Sequence, residues 1–101
     1  MIEYINDENK FKEFIKEGLV LIDFFATWCG PCKMLSPVIE QVEREHPELK
    51  VVKVDVDEAP YIAAQYGIQA IPTLFLLKDG KVVDKRMGYQ NKNQLESFIS
   101  K

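Results

Sequence analysis

One segment of this chain is apolar at nearly every position, and it limits the available folds more than any other feature. The segment runs from Leu19 to Ala26 and is interrupted only by Asp23. A strand with one face in water alternates apolar and polar residues, whereas a strand buried on both faces is apolar throughout. The segment therefore predicts a central strand of a sheet that is covered on both sides.

The only cysteines, Cys29 and Cys32, follow this strand closely. Pro31 predicts a helix that begins between them, because the first turn needs no N–H donor and favours the φ of proline. Residues three apart within a helix have Cβ atoms roughly 5–6 Å apart, whereas a disulfide requires about 3.5–4.5 Å. If Cys29 is not yet helical and Gly30 tightens the turn, the gap can close. We expect a disulfide that forms and breaks easily.

The expected helix start also gives the two sulfurs different surroundings and different reactivity. At the N-cap, Cys29 would lie beside free backbone N–H groups and the positive end of the helix dipole, and both favour a thiolate. Cys32 would lie one turn further into the helix. We therefore predict that Cys29 is the nucleophile and that Cys32 is the shielded partner.

Two other uses of a cysteine pair compete with this interpretation. A structural disulfide would close a very short loop and would stabilise the fold little. A structural zinc site needs four ligands, and the chain offers only His46 besides the two cysteines. A redox pair fits better than either alternative, and we expect no bound metal.

The composition argues against several classes of protein. The 13 basic and 16 acidic residues give a net charge of −3 and form no basic run, so nucleic acid is not an expected partner. The longest apolar runs are too short to cross a membrane, and the N-terminus lacks the pattern of a signal peptide. We expect one domain over residues 1–101, in a monomer of the reducing cytoplasm, where a CxxC pair is more often catalytic than structural.

The remaining patterns predict an α/β protein with the element order βαβαβαββα. Strands are expected over residues 3–5, 19–26, 51–57, 73–77 and 82–87. Helices are expected to follow caps at Asp7, Cys29, Asp57 and Asn91, and the last cap forms a capping box with Gln94. Residues 78–81 have the composition of a hairpin turn. Helical connections favour parallel strands at the start, and the hairpin adds antiparallel ones.

Over essentially its whole length the chain resembles the thioredoxin family. The resemblance is carried by the element order and by these residues: Trp28-Cys29-Gly30-Pro31-Cys32-Lys33, Asp23, Pro37, Lys53, Ile71-Pro72-Thr73, Gly80 and Gly88. It implies the thioredoxin fold, in which four helices flank a central five-stranded mixed sheet. It also implies a cis peptide bond between Ile71 and Pro72, although composition alone would favour trans.

The resemblance implies a protein-disulfide reductase in which Cys29 attacks a target disulfide and Cys32 resolves the mixed disulfide. Asp23 would accept the proton of Cys32, and Lys53 would adjust the pKa of Asp23. A lone buried carboxylate is costly to ionise, so its pKa should rise in any case. Asp23 satisfied by hydrogen bonds alone, and Lys53 merely packed, remain the alternatives.

The same resemblance implies a flat, mostly uncharged surface that docks target proteins. It would comprise Trp28, Gly30, Pro31, Ile71, Pro72 and Gly88. No cofactor would be bound, and reducing equivalents would come from NADPH through thioredoxin reductase. The main rivals are a disulfide oxidase or isomerase, a glutathione-dependent glutaredoxin, and a redox-independent binding module. Phe25 and Tyr89 depart from the residues common in the family, without touching the redox pair.

Overall fold

A computed structural model describes all residues from 1 to 101. Its elements are, in chain order, β1 (Ile2–Tyr4), α1 (Glu8–Phe14), β2 (Leu19–Phe25), α2 (Gly30–Glu45), β3 (Leu49–Asp55), α3 (Pro60–Gln65), β4 (Thr73–Lys78), β5 (Lys81–Met87) and α4 (Lys92–Ile99). The predicted order βαβαβαββα is therefore confirmed, as are the five strands and four helices.

The apolar segment forms the centre of the sheet, as predicted. The strands lie in the order β1-β3-β2-β4-β5, with β2 parallel to β3 and antiparallel to β4. Positions 20 to 24 of β2 are all buried. A strand with neighbours on both edges and helices on both faces can expose no side chain, which is why its sequence does not alternate.

The pleat of the sheet divides the core into two parts. Val20, Ile22 and Phe24 project to one side, where α1 and α3 cover them. Leu21 projects to the other side and packs with residues of α2 and α4. Because side chains alternate along a strand, Asp23 projects to the α2 and α4 side. The fold thus buries a carboxyl group beneath the helix that carries the cysteines.

Several of the expected boundaries are wrong. β1 begins and ends one residue earlier than expected, and β2 ends one residue earlier. β3 begins at Leu49 and ends at Asp55, earlier at both ends than the alternation indicated, because parallel pairing matches Leu19 to Leu49 and Phe25 to Asp55. Asp57 does not cap α3; Ala59 holds that position without a side-chain hydrogen bond. Pro60 opens α3 and lacks an N–H, so the helix has one fewer free donor to satisfy.

The hairpin between β4 and β5 is confirmed. Asp79 and Gly80 have φ values of +50° and +83°. A two-residue turn of type I′ needs positive φ at both positions, which aspartate tolerates and glycine favours. This turn fixes β5 as the antiparallel edge strand.

The capping box of α4 is also confirmed, and it permits a test of local stability. The Asn91 side chain accepts from the Gln94 N–H at 2.8 Å, and the Gln94 side chain accepts from the Asn91 N–H at 2.9 Å. Because Asn91→Ala removes one of these acceptors, we expect it to lower the free energy of unfolding by about 1 kcal/mol. Urea denaturation measures the change. Asn93→Ala, an exposed neighbour in the same helix, should cost less, and equal losses would contradict the capping role.

Candidate active site

The two cysteines lie at the junction of β2 and α2, where the helix begins as predicted. Cys29 is the N-cap residue, with extended backbone angles, and α2 starts at Gly30 with Pro31 in its first turn. The Cys32 N–H donates to the Cys29 sulfur at 3.2 Å. The two residues form a disulfide with their Cα atoms 5.3 Å apart. The sulfur of Cys29 therefore takes the place of a capping oxygen at the positive end of the helix.

The disulfide is almost covered. Cys29 and Cys32 expose 5% and 3% of their surface, and they pack with Ala26 in a small cluster of their own. Phe25, Val56 and Ile71 lie against this cluster, so the expectation that Phe25 stays clear of the redox pair is wrong. The neighbouring Trp28 is in contrast 69% exposed. The site thus combines shielded sulfurs with an exposed tryptophan beside them.

The loop before β4 brings three of the predicted surface residues together. The Ile71–Pro72 peptide bond is cis, as the resemblance implied. The Gly88 N–H donates to the carbonyl of Pro72 at 2.8 Å, which ties the end of β5 to this loop. Gly88 has a φ of +88°, a conformation that glycine adopts without strain. Ile71 is half-buried and packs against the cysteine cluster, Gly88 is half-buried, and Pro72 between them is buried rather than exposed.

Trp28 is held in place by a contact that the sequence analysis missed. Its indole N–H donates to the Asp57 carboxylate at 2.9 Å. A shallow groove of about 400 Å³, lined mainly by apolar side chains, runs from Trp28 along α3 to Ile71. Asp57 lies 29 residues from Trp28 along the chain, and no local pattern connects the two. Asp57 is thus the orienting partner of the exposed tryptophan.

Asp23 is completely buried, and neither of its carboxyl oxygens accepts a hydrogen bond. Burial raises the pKa of Asp23 from 3.8 to about 6, and the positive charge of Lys53 offsets part of this effect. The parallel register places Lys53 directly beside Asp23, with its ammonium nitrogen 3.7 Å from the carboxylate. The structure therefore brings together the predicted acid and the predicted cation.

A second residue that the sequence analysis missed, the half-buried Ser36, lies beside Lys53. The Ser36 hydroxyl accepts from the Lys53 ammonium at 2.6 Å, and it donates to the backbone carbonyl of Cys32 at 3.4 Å. Ser36 follows Cys32 by four residues, so the two lie on the same face of α2. This spacing was the only available signal, and it does not distinguish a hydroxyl that binds a buried lysine from an ordinary helix serine.

Two further features of the structure concern ligands and membranes. No group of three or more His, Cys, Asp or Glu side chains is arranged to hold a metal ion. No helix combines the length and the apolar character needed to span a membrane.

Comparison with known proteins decides the family. The family model described as Thioredoxin matches residues 2–101. The chain belongs to the thioredoxin family. The thioredoxin of Chlamydia trachomatis is 50% identical over 101 residues, covering 100% of this chain and 98% of the relative. The thioredoxin of Listeria monocytogenes is 48% identical over 102 residues, covering 100% of this chain and 98% of the relative.

Solved thioredoxin structures have the same fold. The oxidised mitochondrial thioredoxin 3 of Saccharomyces cerevisiae superposes with a TM-score of 0.90 and 40% identity, covering 98% of this chain and 93% of that one. A thioredoxin of Nicotiana alata gives a TM-score of 0.90 and 38% identity, covering 98% and 90%. With the disulfide at the CxxC position, this membership makes the chain a thiol–disulfide oxidoreductase. Thioredoxins need no bound cofactor, and their targets are proteins that contain disulfides.

Proposed function

We propose that this chain reduces disulfides of other proteins, with Cys29 as nucleophile and Cys32 as resolving thiol. The observation that carries the proposal is the Cys29–Cys32 disulfide at the start of α2, with Cys29 as the N-cap. In the reduced protein the same backbone N–H groups and helix dipole favour a thiolate at Cys29. Cys29 is therefore the sulfur that attacks first.

The first step is an exchange of one disulfide for another. The Cys29 thiolate attacks one sulfur of the target disulfide, a new S–S bond forms, and the other target sulfur leaves as a thiolate. The target docks on Trp28, Gly30, Pro31, Ile71, Pro72 and Gly88. Ile71 precedes β4, and strand pairing begins only at Thr73. Its backbone is therefore free of the sheet and can pair with an extended target segment.

The second step releases the target. Asp23 accepts the proton of the Cys32 thiol, directly or through water. The Cys32 sulfur then attacks Cys29, the mixed disulfide breaks, and the target leaves with its second sulfur reduced. Two electrons pass to the target and the Cys29–Cys32 disulfide forms again. Lys53 stabilises the carboxylate form of Asp23 by its charge, which keeps the base largely ionised near neutral pH.

We further propose that thioredoxin reductase restores the dithiol with electrons from NADPH, which this chain does not bind itself. We also propose that residues 1–101 form a single domain that works as a monomer in the cytoplasm. Family membership supports the reductase partner. The sheet supports the single domain, because it contains strands from both ends of the chain.

A redox titration tests the direction of the reaction. Reference values for the two classes are about −270 mV for thioredoxins and about −120 to −180 mV for disulfide oxidases and isomerases. We expect this couple near the thioredoxin value, measured against a thiol buffer by alkylation of free thiols and by the fluorescence of Trp28. A Cys29→Ser, Cys32→Ser double variant lacks the redox couple and provides the baseline for both signals. A potential at the oxidising end would reject the reductase function.

A further inference from the structure

Three polar groups meet in the buried site below the cysteines, and their distances are unequal. The Lys53 ammonium lies 2.6 Å from the Ser36 hydroxyl but 3.7 Å from the nearer oxygen of Asp23. The first distance is a short hydrogen bond, and the second is too long for one. The buried cation therefore donates to the neutral hydroxyl although a carboxyl group lies beside it.

We propose that Ser36 is a positioning residue that holds the Lys53 ammonium out of hydrogen-bonding distance of Asp23, leaving both carboxyl oxygens free to accept the proton of Cys32. This inference rests on the proposed role of Asp23 as proton acceptor. The Ser36 hydroxyl bonds to the backbone carbonyl of Cys32 and to the Lys53 ammonium, not to a sulfur, and Ser36 therefore acts through Lys53.

The surroundings of Lys53 explain why a single hydroxyl can decide its position. Only 4% of the residue is exposed, so water does not compete for the ammonium. The rings of Tyr4 and Phe25 lie 5.5 and 5.4 Å from it, and they stabilise the cation without directing a hydrogen bond. Ser36 and Asp23 are therefore the two side chains that compete to accept a hydrogen bond from the ammonium.

Lys53 is the one charged group that affects the pKa of Asp23. Its neighbour on β4 is the apolar Leu74, and its neighbour on β3 is Lys53. α2 contributes Ser36 and the disulfide-bonded Cys32, while β1 contributes the Tyr4 ring over Lys53. The proton affinity of Asp23 in the oxidised protein therefore depends on its burial and on the position of one ammonium.

The position of that ammonium affects the resolving step in two ways. A hydrogen bond from Lys53 would occupy one oxygen of Asp23 and would stabilise the ionised form further. The carboxylate would then be a weaker base for the Cys32 thiol. By accepting the bond itself, Ser36 keeps the carboxylate both unoccupied and basic.

The decisive experiment is a titration of the Asp23 carboxyl carbon by NMR in the oxidised protein, where no thiol titrates in parallel. In Ser36→Ala the ammonium loses its nearer acceptor and should move onto Asp23. We expect the titration midpoint of Asp23 to fall by about 1 pH unit. Ser36→Thr keeps the hydroxyl and should restore the midpoint of the unaltered protein. Asp23→Asn identifies the titrating signal.

Ser100→Ala is the matched control, because the Ser100 hydroxyl also donates to a carbonyl four residues earlier but has no hydrogen bond from a lysine ammonium. It should leave the Asp23 midpoint unchanged. An unchanged or raised midpoint in Ser36→Ala would overturn the inference. The proposed function fails separately, through an oxidising potential or through unimpaired release of targets by Asp23→Asn, and neither result depends on Ser36.

Discussion

Replacing Cys32 by serine is expected to stop the reaction at a mixed disulfide between Cys29 and its target. Cys29 keeps its N-cap position, so the first exchange still occurs. The resolving sulfur is absent, so the target is not released, and we expect turnover to fall by more than about 1,000-fold. Non-reducing electrophoresis and mass spectrometry with a disulfide-containing protein measure the trapped adduct.

Cys29→Ser is the matched control for this experiment. Burial does not separate the two sulfurs, since Cys29 and Cys32 are 5% and 3% exposed. Cys32 lies inside α2 rather than at its N-cap, so its thiol should ionise less readily and form little or no adduct with the same target. An adduct at Cys32 that forms as fast as the adduct at Cys29 would contradict the assigned roles. Continued turnover by Cys32→Ser would contradict them as well.

Replacing Asp23 by asparagine is expected to make the protein more stable and less active. Burial raises the pKa of Asp23 from 3.8 to about 6, so the folded state binds this proton more tightly than the unfolded state does. The stabilisation from the protonated carboxyl is complete below pH 3.8 and is lost as the pH rises through 6. Above that range the ionised carboxylate destabilises the fold by about 3 kcal/mol.

Asp23→Asn removes this charge, and we therefore expect the free energy of unfolding at pH 8 to rise by up to about 3 kcal/mol. The variant leaves Lys53 without its counter-charge, which makes this value an upper limit. Below pH 4 the two proteins should differ little. Urea denaturation of the oxidised proteins between pH 4 and pH 8 measures the difference.

Glu40→Gln, an exposed substitution on α2 without a hydrogen-bond or ion-pair partner, should show no comparable dependence on pH. The activity of Asp23→Asn should change in the opposite direction to its stability. Loss of the proton acceptor should slow the release of target from the mixed disulfide by about 100-fold at pH 7. Release at an unchanged rate would remove Asp23 from the mechanism.

The elements that were predicted correctly depend on residues close together in the chain. Pro31 and Cys29 define the start of α2 within one turn. Asn91 and Gln94 cap α4 through two local hydrogen bonds. The predicted cap at Asp57 was wrong because a distant residue intervenes. The Asp57 carboxylate accepts from Trp28 and does not cap the helix that follows. A local pattern identifies a residue able to cap a helix, but it cannot reveal a competing partner elsewhere.

The sequence by itself determined the central position of β2, the helix that is capped by Cys29, the hairpin after β4 and the redox pair. Each follows from burial, capping or turn preferences within a few residues. Only the tertiary structure decided that Lys53 bonds to Ser36 rather than to Asp23. That arrangement depends on how α2 packs against β3 and on the register of β2 with β3. Register and packing are set by the fit of the whole core, which joins residues far apart in the chain and leaves no trace in any short segment.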